Sequence, residues 1–213
     1  MSESGPEAVA EGDHVEGREM ERIPPLKPAE WSAELRAFFA DFRSRVHHGG
    51  PAPANTRSGT NLLGTLARHP AFTMAFLPFN GHLLYGTALS DRQRELLILR
   101  VAHLWDSEYE WAQHAVLGGN AGLTDEEIRR VAAGPAAAGW SALEATLLRA
   151  ADELRDAGVI GAGTWRALAT EFDEQQLMDI VFTVGAYAML AMAMRSFGVR
   201  PEPDLEPYLP VRQ

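Results

Sequence analysis

The sequence predicts an all-α protein. At five places between residues 90 and 176 a serine, threonine or aspartate is followed three residues later by glutamate or glutamine, which is the capping-box pattern of a helix start. Elsewhere apolar residues recur at intervals of three and four, and no run alternates between apolar and polar residues as a half-buried strand does. We therefore expect about eight helices joined by short loops. The five capping pairs are Ser90/Gln93, Ser107/Glu110, Thr124/Glu127, Ser141/Glu144 and Asp173/Gln176.

The expected helices follow one another along most of the chain. The first is amphipathic, with Trp31, Leu35 and Phe39 on one face. Pro70 separates the second from the third, and glycine or proline ends most of the later ones. The predicted ranges are 29–46, 61–69, 71–84, 90–105, 107–122, 124–133, 141–158, 164–172 and 173–198, the second and third forming one interrupted unit.

Length and composition exclude several classes of function. The 213 residues are 46% apolar, which suits one domain with a substantial core. A net charge of -10 argues against a nucleic-acid partner, because phosphates repel an acidic surface. The chain has no cysteine, so disulfides, thiolate nucleophiles and cysteine-ligated zinc are excluded from it.

The two ends differ in composition from the middle. Residues 1–22 hold seven acids and two arginines without apolar periodicity, so we expect 1–25 to be a disordered acidic tail. The helical domain is expected over 26–200. Residues 201–213 include four prolines, and we expect an extended tail along the surface.

No membrane partner is expected, and the protein is predicted to be cytoplasmic. The first residues are acidic and lack the apolar stretch of a signal peptide. The longest apolar run, 180–194, is interrupted by Thr183, Gly185 and Tyr187 and is shorter than the ~20 residues of a membrane span. It is interpreted as a buried helix.

Candidate functional residues lie around the junction of the predicted helices 90–105 and 107–122. Glu110 and His114 are four residues apart, so they share one helix face, and Ser107 lies one turn before them. Glu95 lies inside an apolar helix, where an unpaired carboxylate is costly. The sequence therefore predicts that two acids and an imidazole meet where these helices pack together.

Such a trio suits proton transfer. An imidazole can act as base and acid near pH 7, and two nearby acids push their pKa values apart, so that one keeps a proton. Structural roles are the alternative: Glu110 as part of a helix cap, His114 as a core histidine, and Glu95 paired with Arg92 or Arg100. A zinc or iron site formed by the trio has suitable ligand types, but spacing fixes no third local ligand. No metal and no cofactor are predicted.

Three segments resemble the carboxymuconolactone decarboxylase and alkylhydroperoxidase-D-like (AhpD-like) superfamily, a resemblance that extends over about 61–198. They are Leu89-Ser-x-Arg92-x-Arg94-Glu95-Leu, then Ser107-Glu-Tyr-Glu110-Trp-x-x-His114, then Ala121-Gly122-Leu123-Thr124-x-Glu126-Glu127-Ile128. The resemblance implies an AhpD-like helical fold in a homo-oligomer, a trimer or hexamer with a dimer as the alternative. It also implies a pocket near a subunit boundary.

The chain departs from the peroxidase branch of that superfamily at two positions. That branch carries a glutamate, a Cys-x-x-Cys pair and a histidine, which correspond here to Glu95, to Ser107 and Glu110, and to His114. Without thiols, peroxide reduction through a disulfide is unavailable to this chain. The resemblance then implies acid–base chemistry like that of the decarboxylase branch, which is cofactor-free and acts on a small acidic lactone.

The leading hypothesis is therefore a cofactor-independent enzyme acting on a small carbonyl, carboxylate or lactone compound by decarboxylation, isomerisation, dehydration or cyclisation, as in natural-product tailoring. His114 is the expected main proton carrier, Glu110 orients it or acts as a second acid or base, and Glu95 holds the network. Ser107, Tyr109 and Trp111 are the expected substrate-binding residues. The rivals are a non-catalytic helical scaffold and a metal-dependent enzyme on the same fold.

Overall fold

The computed structural model describes residues 21–46 and 59–210, and within those ranges all regular secondary structure is helical, without a strand. The all-α prediction is confirmed. The expectation of a disordered acidic tail concerns mainly residues 1–20, which lie outside the described residues. The helices are α1 Ala33–Val46, α2 Thr60–Leu66, α3 Pro70–Gly81, α4 Asp91–Leu104, α5 Glu108–Asn120, α6 Asp125–Ala133, α7 Ala142–Ala157, α8 Ala162–Ala169 and α9 Glu174–Phe197.

Four of the five predicted capping boxes are present. In the boxes that begin α4, α6, α7 and α9, the cap side chain accepts a hydrogen bond from the backbone N–H three residues on, and the glutamate or glutamine there bonds back. Each of these cap residues has extended backbone geometry, with ψ between 154° and 175°. The fifth, at Ser107, does not form and is described with the site.

Helix α4 is the centre of the fold. It packs against α5, α7 and α9, and more lightly against α6. Its residues from Arg94 to Ala102 are all buried, and the four residues Leu96, Leu97, Ile98 and Leu99 are 0% exposed. Leu97 and Ile98 belong to the main core with α7 and α9, whereas Leu96 and Leu99 belong to a second apolar cluster with α5 and α6.

Two arginines of α4 form ion pairs with the neighbouring helices α6 and α7. Arg100 forms a two-pronged ion pair with Asp152 of α7, at 2.6 and 3.1 Å, and donates to the carbonyls of Val131 and Ala132 at the end of α6. Arg92 pairs with Glu127 and Glu144, and the pKa of Glu127 falls to about 2, mainly because it accepts from Arg92. These pairings fix how α4 sits against the later helices.

The segment after α9 is not extended, contrary to expectation. Pro203–Tyr208 form a 3-10 helix that packs on α5, and Leu205 is fully buried against Ala112 and Val116. Proline tolerates the first turn of such a helix because its missing N–H is not needed there. The C-terminal segment is thus part of the helical domain as far as residue 210.

Helix α9 is long and apolar enough to cross a membrane by length and composition alone, with a mean hydropathy of 1.8 over its most apolar window. In the fold, 56% of that window is buried. One side of α9 packs on α4, α7 and α8, and the opposite side is exposed.

Candidate functional site at the junction of α4 and α5

A tight connection sets the geometry of the site. Helix α4 ends at Leu104, the chain reverses through Asp106 in the left-handed region, with φ of 49°, and α5 begins at Glu108. The N–H of Ser107 donates to the carbonyl of Ala102, at 2.8 Å, which closes the turn. The first turns of α5 therefore run back along the buried face of α4.

This packing brings Glu95 and His114 together as predicted. The Nδ1 atom of His114 lies 2.7 Å from Oε2 of Glu95, and the side chains are 8% and 0% exposed. Among the described residues, Nε2 of His114 has no hydrogen-bond partner. A carboxylate bound at Nδ1 fixes the orientation of an imidazole and leaves Nε2 for a second partner.

Arg94 completes this pair, and spacing did not point to it. Its Nε donates to the other oxygen of Glu95, at 2.9 Å, and its Nη1 donates to Asp91, at 2.7 Å. The expected alternative, a pairing of Glu95 with Arg92 or Arg100, is wrong, because both of those arginines reach α6 and α7 instead. The result is a chain of polar groups that runs from the exposed Asp91 inward to the buried His114.

Glu110 is buried without a partner. It is 2% exposed, and neither carboxyl oxygen makes a hydrogen bond among the described residues. Burial raises the pKa of this carboxyl well above its ordinary value, although the nearby Ser107 hydroxyl opposes the rise. Burial therefore favours the protonated form of Glu110, which is the form that can donate a proton.

Ser107 does not cap α5, so the structural interpretation of the Ser107/Glu110 pair is wrong. Its ψ is 88°, about half the value at the four working caps, because the turn to Ala102 holds its backbone. The hydroxyl makes no cap bond and has no other hydrogen-bond partner in the described part of the chain. Both members of the pair therefore keep their polar atoms free for another role.

Tyr187 of α9 faces the same site and was missed from the sequence as a site residue. Its ring packs edge-on against His114, with 5.0 Å between ring centroids. Burial raises the pKa of Tyr187 well above its usual range, and the nearby charge of Glu95 raises it further. Only the tertiary packing of α9 brings this phenol against His114.

The side chains of Tyr109 and Trp111 contact parts of the molecule other than the Glu95–His114 pair. The Tyr109 hydroxyl donates to Glu202, at 3.2 Å, and so ties α5 to the C-terminal segment. Trp111 packs in the second apolar cluster, beside the ring of His103. Their predicted contact with substrate stays a prediction.

Glu95, Glu110 and His114 are buried in the single chain. Two surface cavities, of about 250 and 370 Å³, are lined by other residues, and neither touches Glu95, Glu110 or His114. No three histidine, aspartate or glutamate side chains converge on a possible metal position within 21–46 and 59–210.

Comparison with known proteins finds a family match over the segment that contains the site. Residues 70–153, which include α4 and α5, match the carboxymuconolactone decarboxylase family. No curated protein matches the chain. Two solved structures share the fold, both of uncharacterized peroxidase-related proteins.

The first, from Ralstonia eutropha JMP134 and described as an alkylhydroperoxidase AhpD core, is 18% identical, with a TM-score of 0.67 over 90% of this chain and 98% of that one. The second, from Silicibacter sp. TM1040, is 17% identical, with a TM-score of 0.68 over 89% and 97%. Residues 70–153 thus match the carboxymuconolactone decarboxylase family, and the helical architecture is that of the AhpD-like fold, in a chain that has no cysteine.

Proposed function

We propose that this protein is a cofactor-independent acid–base enzyme that acts on a small carbonyl, carboxylate or lactone compound. The observation that carries the proposal is the carboxyl of Glu110, which is buried without a hydrogen bond. It lies on the same face of α5 as His114, which pairs with Glu95 of α4. An unsatisfied buried polar group costs about 1–3 kcal/mol. A bound water or substrate that pairs with Glu110 would remove that cost.

Glu95, His114 and Glu110 each have a separate role in the proposed proton transfers. Glu95, paired with Arg94, orients the imidazole of His114 through Nδ1. Nε2 of His114 then accepts a proton from a carbon or hydroxyl of the substrate. Glu110, whose protonated form is favoured by burial, donates a proton to the oxygen on which charge develops. The same pair of transfers serves isomerisation, loss of water and ring closure, and it can protonate the carbanion that a decarboxylation leaves.

The missing thiols support this chemistry over peroxide reduction. Ser107 and Glu110 stand where the resemblance places two cysteines, and the chain has none elsewhere. A serine hydroxyl and a carboxyl cannot form the disulfide that peroxide reduction by thiols requires. They can donate and accept protons, which is the chemistry proposed here.

A non-catalytic scaffold is the second candidate, and one observation favours it. The three proposed catalytic residues are at most 6% exposed, and neither cavity reaches them. A scaffold would use the polar chain only to join α4 to α5. Under the catalytic proposal, Nε2 and Glu110 become reachable when the helices around the site move.

A substrate panel tests the proposal. Purified full-length protein, dialysed against a chelator, is incubated with small lactones, β-keto acids and β-hydroxy carbonyl compounds, and proton NMR follows each mixture. The proposal expects turnover of at least one class without added metal, cofactor or reductant. Turnover that needs added metal, or consumption of peroxide with a dithiol, would overturn it, and no turnover of any class would favour the scaffold.

A further inference from the structure

One face of α9 is apolar and uncovered. Met178, Phe182, Met189 and Met192 are 59%, 50%, 42% and 46% exposed, and the exposed Gly185 lies between them. These five residues, called here the α9 stripe, are spaced by four, three, four and three positions. That spacing is the heptad pattern of a helix that packs along another helix.

The stripe has a symmetry that points to the partner. Gly185 is its midpoint, so two α9 helices crossing there in opposite directions place Met178 opposite Met192 and Phe182 opposite Met189. A Cβ added to Gly185 would meet nothing within 4 Å, so the backbone is open to close approach. A self-complementary surface of this kind suits a two-fold contact between identical chains.

The charges at the ends of α9 fit the same arrangement. Glu174 at the start of α9 and Arg195 in its last turn are both exposed. Glu174 is 11 residues before Gly185 and Arg195 is 10 residues after it. Antiparallel pairing about Gly185 therefore places each Glu174 near the Arg195 of the other copy, whereas parallel pairing places like charges together.

A groove beside the stripe can receive side chains of a partner. The cavity of about 250 Å³ runs between α4, α7 and α9 and is lined by Val181, Gly185 and Ala188 among other residues, most of them apolar. On the stripe itself, Phe79 of α3, which is 40% exposed, packs edge-on against Phe182. The apolar surface is thus wider than one helix face.

We propose that the α9 stripe is the docking surface for the α9 stripe of a second copy of this chain, antiparallel and two-fold symmetric about Gly185. The exposed parts of its side chains and of Phe79 add up to roughly 500 Å² of apolar surface, given that one whole aromatic side chain offers 150–250 Å². This is more than half of the ~800 Å² per partner of a stable interface. The resemblance predicted an oligomer without saying which face would form it.

A membrane surface is the competing occupant, and charge argues against it. The chain carries a net charge of -10, whereas peripheral binding to anionic lipid relies on clustered lysine and arginine. The narrow heptad spacing also suits a helix better than a flat lipid surface. Vesicle binding is therefore an outcome that the experiment must be able to detect.

The mass of the full chain in solution is the first test, measured by light scattering after size exclusion. One chain weighs 23.3 kDa. Phe182→Glu and, separately, Met189→Glu are expected to at least halve the mass of the wild-type assembly while circular dichroism stays unchanged. Val159→Glu, at a position that is 62% exposed and off the stripe, is the matched control and should keep the wild-type mass. A monomeric wild type, or folded stripe variants with wild-type mass, would overturn the proposal.

Cysteine cross-linking tests the orientation, because the natural chain has no cysteine to interfere. On oxidation, Gly185→Cys should cross-link to itself, and Met178→Cys mixed with Met192→Cys should form a mixed dimer. Met178→Cys alone should not cross-link, since antiparallel pairing leaves its two copies about 21 Å apart along the axis. Self-linking of Met178→Cys, or co-sedimentation of the wild type with neutral or anionic phospholipid vesicles, would contradict the proposal.

Discussion

Oε2 of Glu95 lies 2.7 Å from Nδ1 of His114, and its other carboxyl oxygen lies 2.9 Å from Nε of Arg94. The carboxylate, which is itself 0% exposed, thus joins a permanent cation to an imidazole. Because Nδ1 is already bound, a proton can be exchanged with a substrate only through Nε2. This one relationship fixes the orientation of the proposed base.

The Glu95 carboxylate should also be important for stability. Glu95→Ala leaves Arg94 and His114 buried without their partner, and removing one member of a buried pair typically costs about 3–5 kcal/mol. Urea unfolding measures the change. The control is Glu126→Ala, which breaks the Arg130–Glu126 pair on α6, where the glutamate is 72% exposed. It should change the free energy of unfolding by no more than about 1 kcal/mol.

The tautomer of His114 is a second expected consequence. With Nδ1 donating to Glu95, nitrogen-15 NMR above pH 8 should show a proton on Nδ1 and a lone pair on Nε2 for this histidine. Glu95→Gln should reduce this preference. A wild-type His114 with its proton on Nε2 would contradict the assigned role of Glu95.

Glu110 should make stability fall as the pH rises. Folding raises the pKa of this carboxyl above its ordinary value of 4.5, so above that pH the folded chain keeps a proton that the unfolded chain has lost. The free energy of unfolding therefore decreases as the pH rises from about 4.5 towards the raised pKa. Below pH 4.5 Glu110 adds no pH dependence to the free energy of unfolding, because it is protonated in both states.

Glu110→Gln removes this dependence. The stability of the variant relative to wild type should grow between pH 5 and pH 8, measured by urea unfolding at several pH values. Glu171→Gln, at an exposed position before α9, is the control and should give a constant difference. A constant difference for Glu110→Gln as well would mean that the carboxyl ionises normally in the folded chain.

The serine at the start of α5 should behave unlike the other helix caps. Ser107→Ala should leave the free energy of unfolding within about 0.5 kcal/mol of wild type, because no cap bond is lost. Ser141→Ala, at the start of α7, should cost about 1 kcal/mol, because it removes a working cap. Equal losses in the two variants would show that Ser107 does cap α5 in solution.

Local signals predicted most of the helices, and their failures have local causes. Capping boxes located the starts of α4, α6, α7 and α9 because there the chain is free to adopt extended geometry before the helix. At Ser107 the same residue pattern failed, since the tight turn after α4 fixes a different ψ. The prolines after α9 predicted an extended segment, but burial of Leu205 favours a 3-10 helix.

The candidate site was predictable only in part. Spacing placed Glu110 and His114 on one face, and the cost of a buried carboxylate pointed to Glu95, because both arguments need only one helix at a time. Arg94 was hidden because the spacing arguments considered residues three or four positions apart, whereas its bond to Glu95 joins adjacent residues. Tyr187 comes from α9, and no local pattern connects it with α5.

The most direct measurement is the rate of turnover by His114→Ala and Glu110→Gln on whichever panel compound the wild type converts. General acid–base groups contribute about 10²- to 10⁴-fold, so each variant should lose at least a hundredfold in kcat while remaining folded. The control is His82→Ala, because His82 is half exposed and pairs with Asp179 away from the site. It should keep wild-type turnover. Wild-type kcat in either His114→Ala or Glu110→Gln would contradict the proposed acid–base site.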